Sequence, residues 1–254
     1  MLDLITIPCL TDNYAYLIHN SATGETALID VPEAAPILVA LKQRGWTLGT
    51  ILLTHHHADH IQGVPELIAA TGAKVLGAKA DAHRLPPLDT AVTDGETLQI
   101  CGEPMLVIDV SGHTIGHGAF LFPQSKLAFT ADSLMAGGCG RLFEGTGATM
   151  YASMAKFADL RGDTLICSGH EYTTANLRFA ATIEPDNPAL LTRIANTAKA
   201  RADGIATVPS LLSDERATNP YLRVHLPSVK AAVGMASASD TEVFAEIRSR
   251  KDKF

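Results

Sequence analysis

The amino-acid sequence predicts an α+β fold, with strands and helices mixed up to residue 170 and a mainly helical part over 171–254. Three observations predict it. Short runs of aliphatic and aromatic residues recur in the first part, such as Tyr14-Ala15-Tyr16-Leu17-Ile18 and Met105-Leu106-Val107-Ile108-Asp109-Val110, and read as strands. Between them lie segments with apolar residues three and four apart, as at Ile61, Val64, Leu67 and Ile68, the helical spacing. Beyond His170 few β-branched runs occur and helix formers dominate.

In chain order, Leu4-Ile5-Thr6-Ile7 and residues 14–18 are expected strands, separated by the turn-rich Thr11-Asp12-Asn13. Ala27-Leu28-Ile29-Asp30 is a further strand, ending in a carboxylate. Ala34 to Arg44 has helical spacing and stops at Gly45. Thr50 to Leu53 reads as a strand, 61–71 as a helix, and Lys74-Val75-Leu76-Gly77 as a short strand. Pro86-Pro87 and Asp94-Gly95 make 81–97 mostly loop and turn. Strands follow at 105–110, Ala119-Phe120-Leu121-Phe122, Leu127-Ala128-Phe129-Thr130 and Thr164-Leu165-Ile166-Cys167. Glycines crowd 137–147, which points to a close backbone approach or a substrate loop. Helices are expected over 149–160, over 171–200 with a break at Asn187-Pro188, and over 236–250.

Composition narrows the classes. A formal charge of −7 gives no general attraction for polyanions, so no nucleic-acid partner is expected. No apolar run reaches the length of a membrane span, and Met1-Leu2-Asp3-Leu4 has an acid where a signal peptide carries bases. Cys9, Cys101, Cys139 and Cys167 are scattered without a Cys-x-x-Cys pair, as for reduced thiols. A cytoplasmic protein without a membrane partner, and a monomer, are the expectations.

The chemistry concentrates in Thr54-His55-His56-His57-Ala58-Asp59-His60, directly after the apolar Ile51-Leu52-Leu53. Alternate side chains of an extended chain point the same way, so His55, His57 and Asp59 share a side and His56 turns away. A helix starting near His60 swings that residue back toward them. Three more apolar runs also end in a metal-binding side chain, at His113, Asp132 and His170. Neighbouring strand ends converge on one edge of a sheet, where sites are commonly built. Five histidines with Asp59 and Asp132 exceed what one four-coordinate ion takes; two ions sharing a carboxylate would use them all. His19, His83 and His225 lack partners in sequence and read as surface or core histidines, and His117 as a group that orients a ligand.

The pattern His55-x-His57-x-Asp59-His60, then His113, Asp132 and His170, resembles the ligand set of the metallo-β-lactamase superfamily. The resemblance implies an αββα sandwich with its site at one edge of the two sheets. It also implies that His55, His57 and His113 hold one ion, that Asp59, His60 and His170 hold the other, and that Asp132 bridges. Further blocks are similar to the glyoxalase II (hydroxyacylglutathione hydrolase) family and run along essentially the whole chain. They are Thr11-Asp12-Asn13-Tyr14, 138–146 (Gly-Cys-Gly-Arg-Leu-Phe-Glu-Gly-Thr), Gly169-His170-Glu171-Tyr172-Thr173, Asn219-Pro220-Tyr221-Leu222-Arg223 and Arg248-x-x-Lys251-Asp252. That family cleaves S-D-lactoylglutathione to glutathione and D-lactate, the second step of methylglyoxal disposal. The resemblance implies a catalytic domain over 1–170 and a substrate-binding domain over 171–254. It implies a glutathione thioester substrate gripped by Arg141, Phe143, Tyr172, Arg248 and Lys251. Some animal members carry Lys and Tyr where this chain has Arg141 and Phe143, and Asp30-Val31-Pro32-Glu33 departs from the family's Asp-Pro-Gly-Asp/Glu turn.

Two divalent ions, zinc first and iron or manganese next, would make hydroxide available as the nucleophile near neutral pH, with Asp59 and Asp132 holding them. The leaving thiol has a pKa of about 8.5, so no strong general acid is required. A Gly-x-Ser-x-Gly elbow is absent, which argues against a covalent route. The competing readings are a glutathione persulfide dioxygenase, an iron enzyme of related fold, and another hydrolase of the superfamily.

Overall fold

The computed structural model describes residues 1–254. They form two compact units, Met1–Asp109 with Ile115–Ala131, and Val110–Thr114 with Asp132–Phe254.

The first unit starts with β1 (Asp3–Cys9), β2 (Asn13–His19) and β3 (Thr26–Ile29), an antiparallel meander. After α1 (Ala34–Arg44), β4 (Thr50–Leu53) joins β3 in parallel. Then come α2 (Ala58–Ile61), α3 (Val64–Thr71), β5 (Lys74–Ala78) and β6 (Thr90–Val92), and the sheet runs β1-β2-β3-β4-β5-β6. Strands β7 (Thr97–Ile100), β8 (Glu103–Asp109), β9 (Gly118–Phe122) and β10 (Leu127–Ala131) follow, each antiparallel to the next.

Side-chain alternation sorts the first sheet into two faces. Ala15, Leu17, Leu28, Ile51, Leu53 and Val75 join Ile37 and Leu41 of α1 and Val64 and Leu67 of α3 in one core. The intervening residues face the other way, where the Tyr16 ring lies 5.7 Å from that of Phe129 on β10. Covered on both faces, β2 buries all of its residues. The parallel register Ile29↔Leu52 brings the chain leaving β3 beside the chain leaving β4, so Asp30 and Thr54 emerge at the same edge.

The second unit contains β11 (Leu134–Met135) and β12 (Gly138–Cys139), paired as a short hairpin, then α4 (Gly147–Ala155) and β13 (Leu165–Ser168). It continues with α5 (Thr173–Ile183), α6 (Pro188–Ala202), β14 (Ser210–Leu211), α7 (Leu212–Thr218), α8 (Pro227–Ala232) and α9 (Asp240–Asp252). The break at Asn187-Pro188 is a helix start: Asn187 Oδ1 accepts from Ala189 N and Leu190 N, and proline fills the first turn. A capping box between Ser239 and Glu242 opens α9. No helix is long and apolar enough to cross a membrane.

Three local expectations change. The helix expected over 61–71 starts only at Val64, and Ile61 ends a separate short helix, α2, because the chain turns at Gly63, where a Cβ would stand 2.9 Å from both Ala34 N and Val31 Cγ1. The loop expected over 81–97 contains β6, which is a strand only through its parallel ladder to β5, Leu76↔Thr90 to Ala78↔Val92. The helix expected over 149–160 begins at Gly147, capped by Thr146 Oγ1, and ends at Ala155.

Candidate metal centre

In the first unit the histidine cluster hangs from Asp30. This residue is 2% exposed and sits in the left-handed region, φ +57°, which Asp and Asn tolerate better than most residues. Asp30 Oδ1 accepts from Thr54 N at 2.9 Å, and Oδ2 accepts from Thr54 Oγ1 at 2.8 Å. His60 Nδ1 is 2.8 Å from the same Oδ2, so the carboxylate takes its N–H and leaves Nε2 with a lone pair. The Thr54 hydroxyl spends its only proton on Asp30. It therefore accepts from His55 Nδ1 at 3.0 Å, and His55 too is left with a bare Nε2. That atom lies 3.2 Å from His57 Nδ1. Asn13 Nδ2 donates to Asp59 Oδ2 at 3.0 Å, and Asp59 Oδ2 is 3.8 Å from His60 Nε2.

His56 turns away as alternation predicts, its Nδ1 3.0 Å from Asp81 Oδ2. His117 is fully buried and stacks on His55, with ring centroids 4.6 Å apart and planes at 14°. His19 is a core histidine, bonded to Thr26 and stacked on Trp46, while His83 and His225 are exposed.

In the second unit His113 and His170 converge on Asp132. Their Nε2 atoms each lie 3.3 Å from the same oxygen, Asp132 Oδ2. His113 Nδ1 donates to Arg141 O at 2.8 Å, so its Nε2 presents a lone pair to the carboxylate. A lone pair and an anion facing each other repel; a cation between them reverses the sign. The donor set in each unit, imidazole nitrogen with carboxylate oxygen, fits a divalent transition or borderline ion. Gly140 keeps this arrangement tight, since a Cβ there would come within 1.8 Å of Asp132 O.

Two of the expected substrate residues lie against the candidate ligands of the second unit. Tyr172, 40% exposed, stacks on His170 at 4.6 Å, and Phe143, 60% exposed, sets its ring edge against His113 at 5.3 Å. The Arg141 guanidinium lies 5.7 Å over the Phe143 ring and its side chain is 63% exposed. Lys251 is half-buried; it donates to Ala175 O at 3.0 Å and lies near the Phe179 and Phe254 rings. Burial, and then the charges of Arg248 and Arg178, hold its pKa below the ordinary 10.5. Arg248 is placed differently, buried at 6% exposure and donating to Cys139 O and Asp252 Oδ1.

All four cysteines are free and buried, and burial pushes Cys139 up to about 11, so none is a poised nucleophile. Sequence reading missed the roles of Asp30, Asn13 and Asp81. A carboxylate at a strand end was visible at Asp30, but its partners Thr54 and His60 lie more than twenty residues on.

The family model described as the metallo-beta-lactamase superfamily matches residues 11–170, and that of the hydroxyacylglutathione hydrolase C-terminus matches 171–254. A protein of Cereibacter sphaeroides named hydroxyacylglutathione hydrolase is 62% identical over 100% of this chain and 99% of its own length. One of the same name from Ruegeria pomeroyi is 57% identical over the same shares. The crystal structure of ETHE1 from Myxococcus xanthus superposes with a TM-score of 0.66 at 22% identity, covering 98% of this chain and 90% of that one. The fold is the metallo-β-lactamase fold followed by a helical C-terminal region. With family models over nearly its whole length and relatives this similar, the chain belongs to the hydroxyacylglutathione hydrolase family of the metallo-β-lactamase superfamily.

Proposed function

We propose that the chain hydrolyses 2-hydroxyacylglutathione thioesters, S-D-lactoylglutathione foremost, to glutathione and the hydroxy acid. The observation that carries this reading is the aromatic surface lying directly on the candidate ligand imidazoles, with a cation over it: Tyr172 on His170, Phe143 on His113, and Arg141 over Phe143. Full-length likeness to proteins named hydroxyacylglutathione hydrolase supports it.

In this reading His55, His57 and His113 would hold one divalent ion and Asp59, His60 and His170 a second, with the Asp132 carboxylate serving both. Zinc is the first choice, iron or manganese the next. When bound, the ions supply Lewis acidity and an acidified water. The chain's own residues do the rest. Asp30, Thr54 and the Arg141 carbonyl fix which imidazole nitrogen faces inward. Glutathione carries two carboxylates, and Arg141 and Lys251 offer cations to them, with the buried charge of Arg248 beneath. The thiolate leaves without a proton donor. Residues 1–170 then serve as the catalytic domain and 171–254 as the substrate-binding domain, in a cytoplasmic monomer without nucleic-acid or membrane partners.

Lys251→Ala is expected to raise KM about tenfold with kcat unchanged, the loss of one charge-assisted contact. The pH dependence has a definite sign. A lysine binds carboxylate while protonated, so KM rises with pH through the lowered Lys251 pKa, and the alanine variant lacks that rise. A KM identical in the two proteins at neutral pH would remove Lys251 from the clamp.

The deciding test is hydrolysis of S-D-lactoylglutathione by the purified protein, with metal content measured on the same sample. Thioester loss with about two ions per chain, abolished by a chelator and restored by zinc, is the expected result. A metal-loaded protein that leaves the thioester intact and consumes oxygen with glutathione persulfide would instead be the dioxygenase.

A further inference from the structure

We infer that the helical C-terminal region positions the metal ligands of the second unit as well as binding substrate, through four side chains that grip the β11–β12 hairpin. The inference rests on the metal-centre reading and concerns Asn176, Glu215 and Asn219, which that reading does not use, together with Arg248, which gains a second role.

The hairpin is bonded along its backbone by side chains distant in sequence. Asn219 Nδ2 donates to Met135 O at 3.2 Å and to Gly138 O at 2.9 Å. Asn176 Nδ2 donates to Ala136 O at 3.1 Å. The Gly137 N–H donates to Glu215 Oε2 at 2.8 Å, and Arg248 Nη1 donates to Cys139 O at 3.0 Å. Every residue from Met135 to Cys139 is therefore held by a side chain of α5, α7, α9 or the Asn219 turn.

These side chains are themselves fixed. Glu215 has no exposed surface, and it also accepts from Ser210 Oγ at 2.6 Å, from Asn219 Nδ2 at 3.1 Å and from Arg193. A buried carboxylate with this many donors is costly to disturb, because each lost partner leaves a desolvated polar group. Gly138 lets α5 approach, since a Cβ there would stand 2.7 Å from Asn176 Cγ.

Both ends of the hairpin run into metal ligands. Asp132 precedes β11 by two residues, and Gly140 N donates to Ser133 O at 3.1 Å. Past β12, Gly140 packs on Asp132 and the Arg141 carbonyl takes the His113 Nδ1 proton. Moving the hairpin moves the carbonyl that selects the His113 tautomer, and with it the oxygen on which His113 and His170 converge. Asn176, Glu215, Asn219 and Arg248 are thus positioning residues for the ion, acting through backbone.

The test compares Asn176→Ala and Asn219→Ala with the unaltered protein and with Lys251→Ala. Metal loss to a chromogenic chelator, the visible spectrum of the cobalt-substituted protein, kcat and KM are measured, each at a temperature where the melt shows the protein folded. Expected are metal release at least about tenfold faster, an altered cobalt spectrum and lower kcat at unchanged KM, against raised KM alone for Lys251→Ala. Native release rates and an unaltered spectrum in the folded variants would overturn the inference. Should Asn219→Ala not fold, Asn176→Ala, which removes one bond, carries the test. An unaltered protein without two ions or thioesterase activity would instead refute the functional reading itself.

Discussion

Asp132→Ala is expected to lower kcat/KM by at least about a thousandfold, roughly 4 kcal/mol at the usual tenfold per 1.36 kcal/mol. The variant is expected to hold fewer than two ions per chain. The reason is geometric. One oxygen of Asp132 is the point on which His113 Nε2 and His170 Nε2 converge, each at 3.3 Å. Alanine leaves two imidazoles without the anion that offsets the charge of bound cations. Without metal, folding does not require the carboxylate, so the metal-free variant should melt close to the metal-free parent. Metal analysis and turnover on one preparation check both halves. Retained stoichiometry and retained rate together would remove Asp132 from the centre.

Asp30→Asn is expected to weaken metal binding about 10- to 100-fold, the usual effect of losing the carboxylate behind a ligand histidine. Asparagine tolerates the left-handed backbone at φ +57° and keeps an oxygen for Thr54 N, so the loop geometry survives. The amide NH2 then faces Thr54 Oγ1 and His60 Nδ1, where the native Oδ2 accepts from both. His60 must present its other tautomer, with a proton on Nε2 where a lone pair is needed. The Thr54 hydroxyl reverses as well and competes with His55. Chelator competition reads the affinity, and an unchanged value would show that Asp30 orients nothing.

The sequence by itself singled out the candidate ligand residues, and it determined the alternation that turns His56 away and the helical character of the C-terminal region. Each rests on short-range regularities: period two in a strand, period 3.6 in a helix, and donor types clustered at strand ends. His55 to His60 span six residues, so the role proposed for them is readable without a fold. The family blocks were legible for a different reason, since they are fixed strings of residues.

Tertiary structure decided what joins segments far apart. Asp30 reaches His60 only because β3 and β4 pair in parallel and release their chains at one edge. β6 escaped notice because three residues carry no period; its partner in β5 makes it a strand. Arg248 is one residue of a recognisable block, but only the fold buries it against Cys139 O and sets it on the same Asp252 oxygen that the exposed Arg141 approaches at 3.7 Å. The glycines of 137–147 fit a close approach, yet only the packed unit names what approaches: Asn176, Leu177, Asp132, Gly112 and Ala245. Local order is written in neighbouring residues, whereas the partners of a buried polar group are chosen by the chain's path through space.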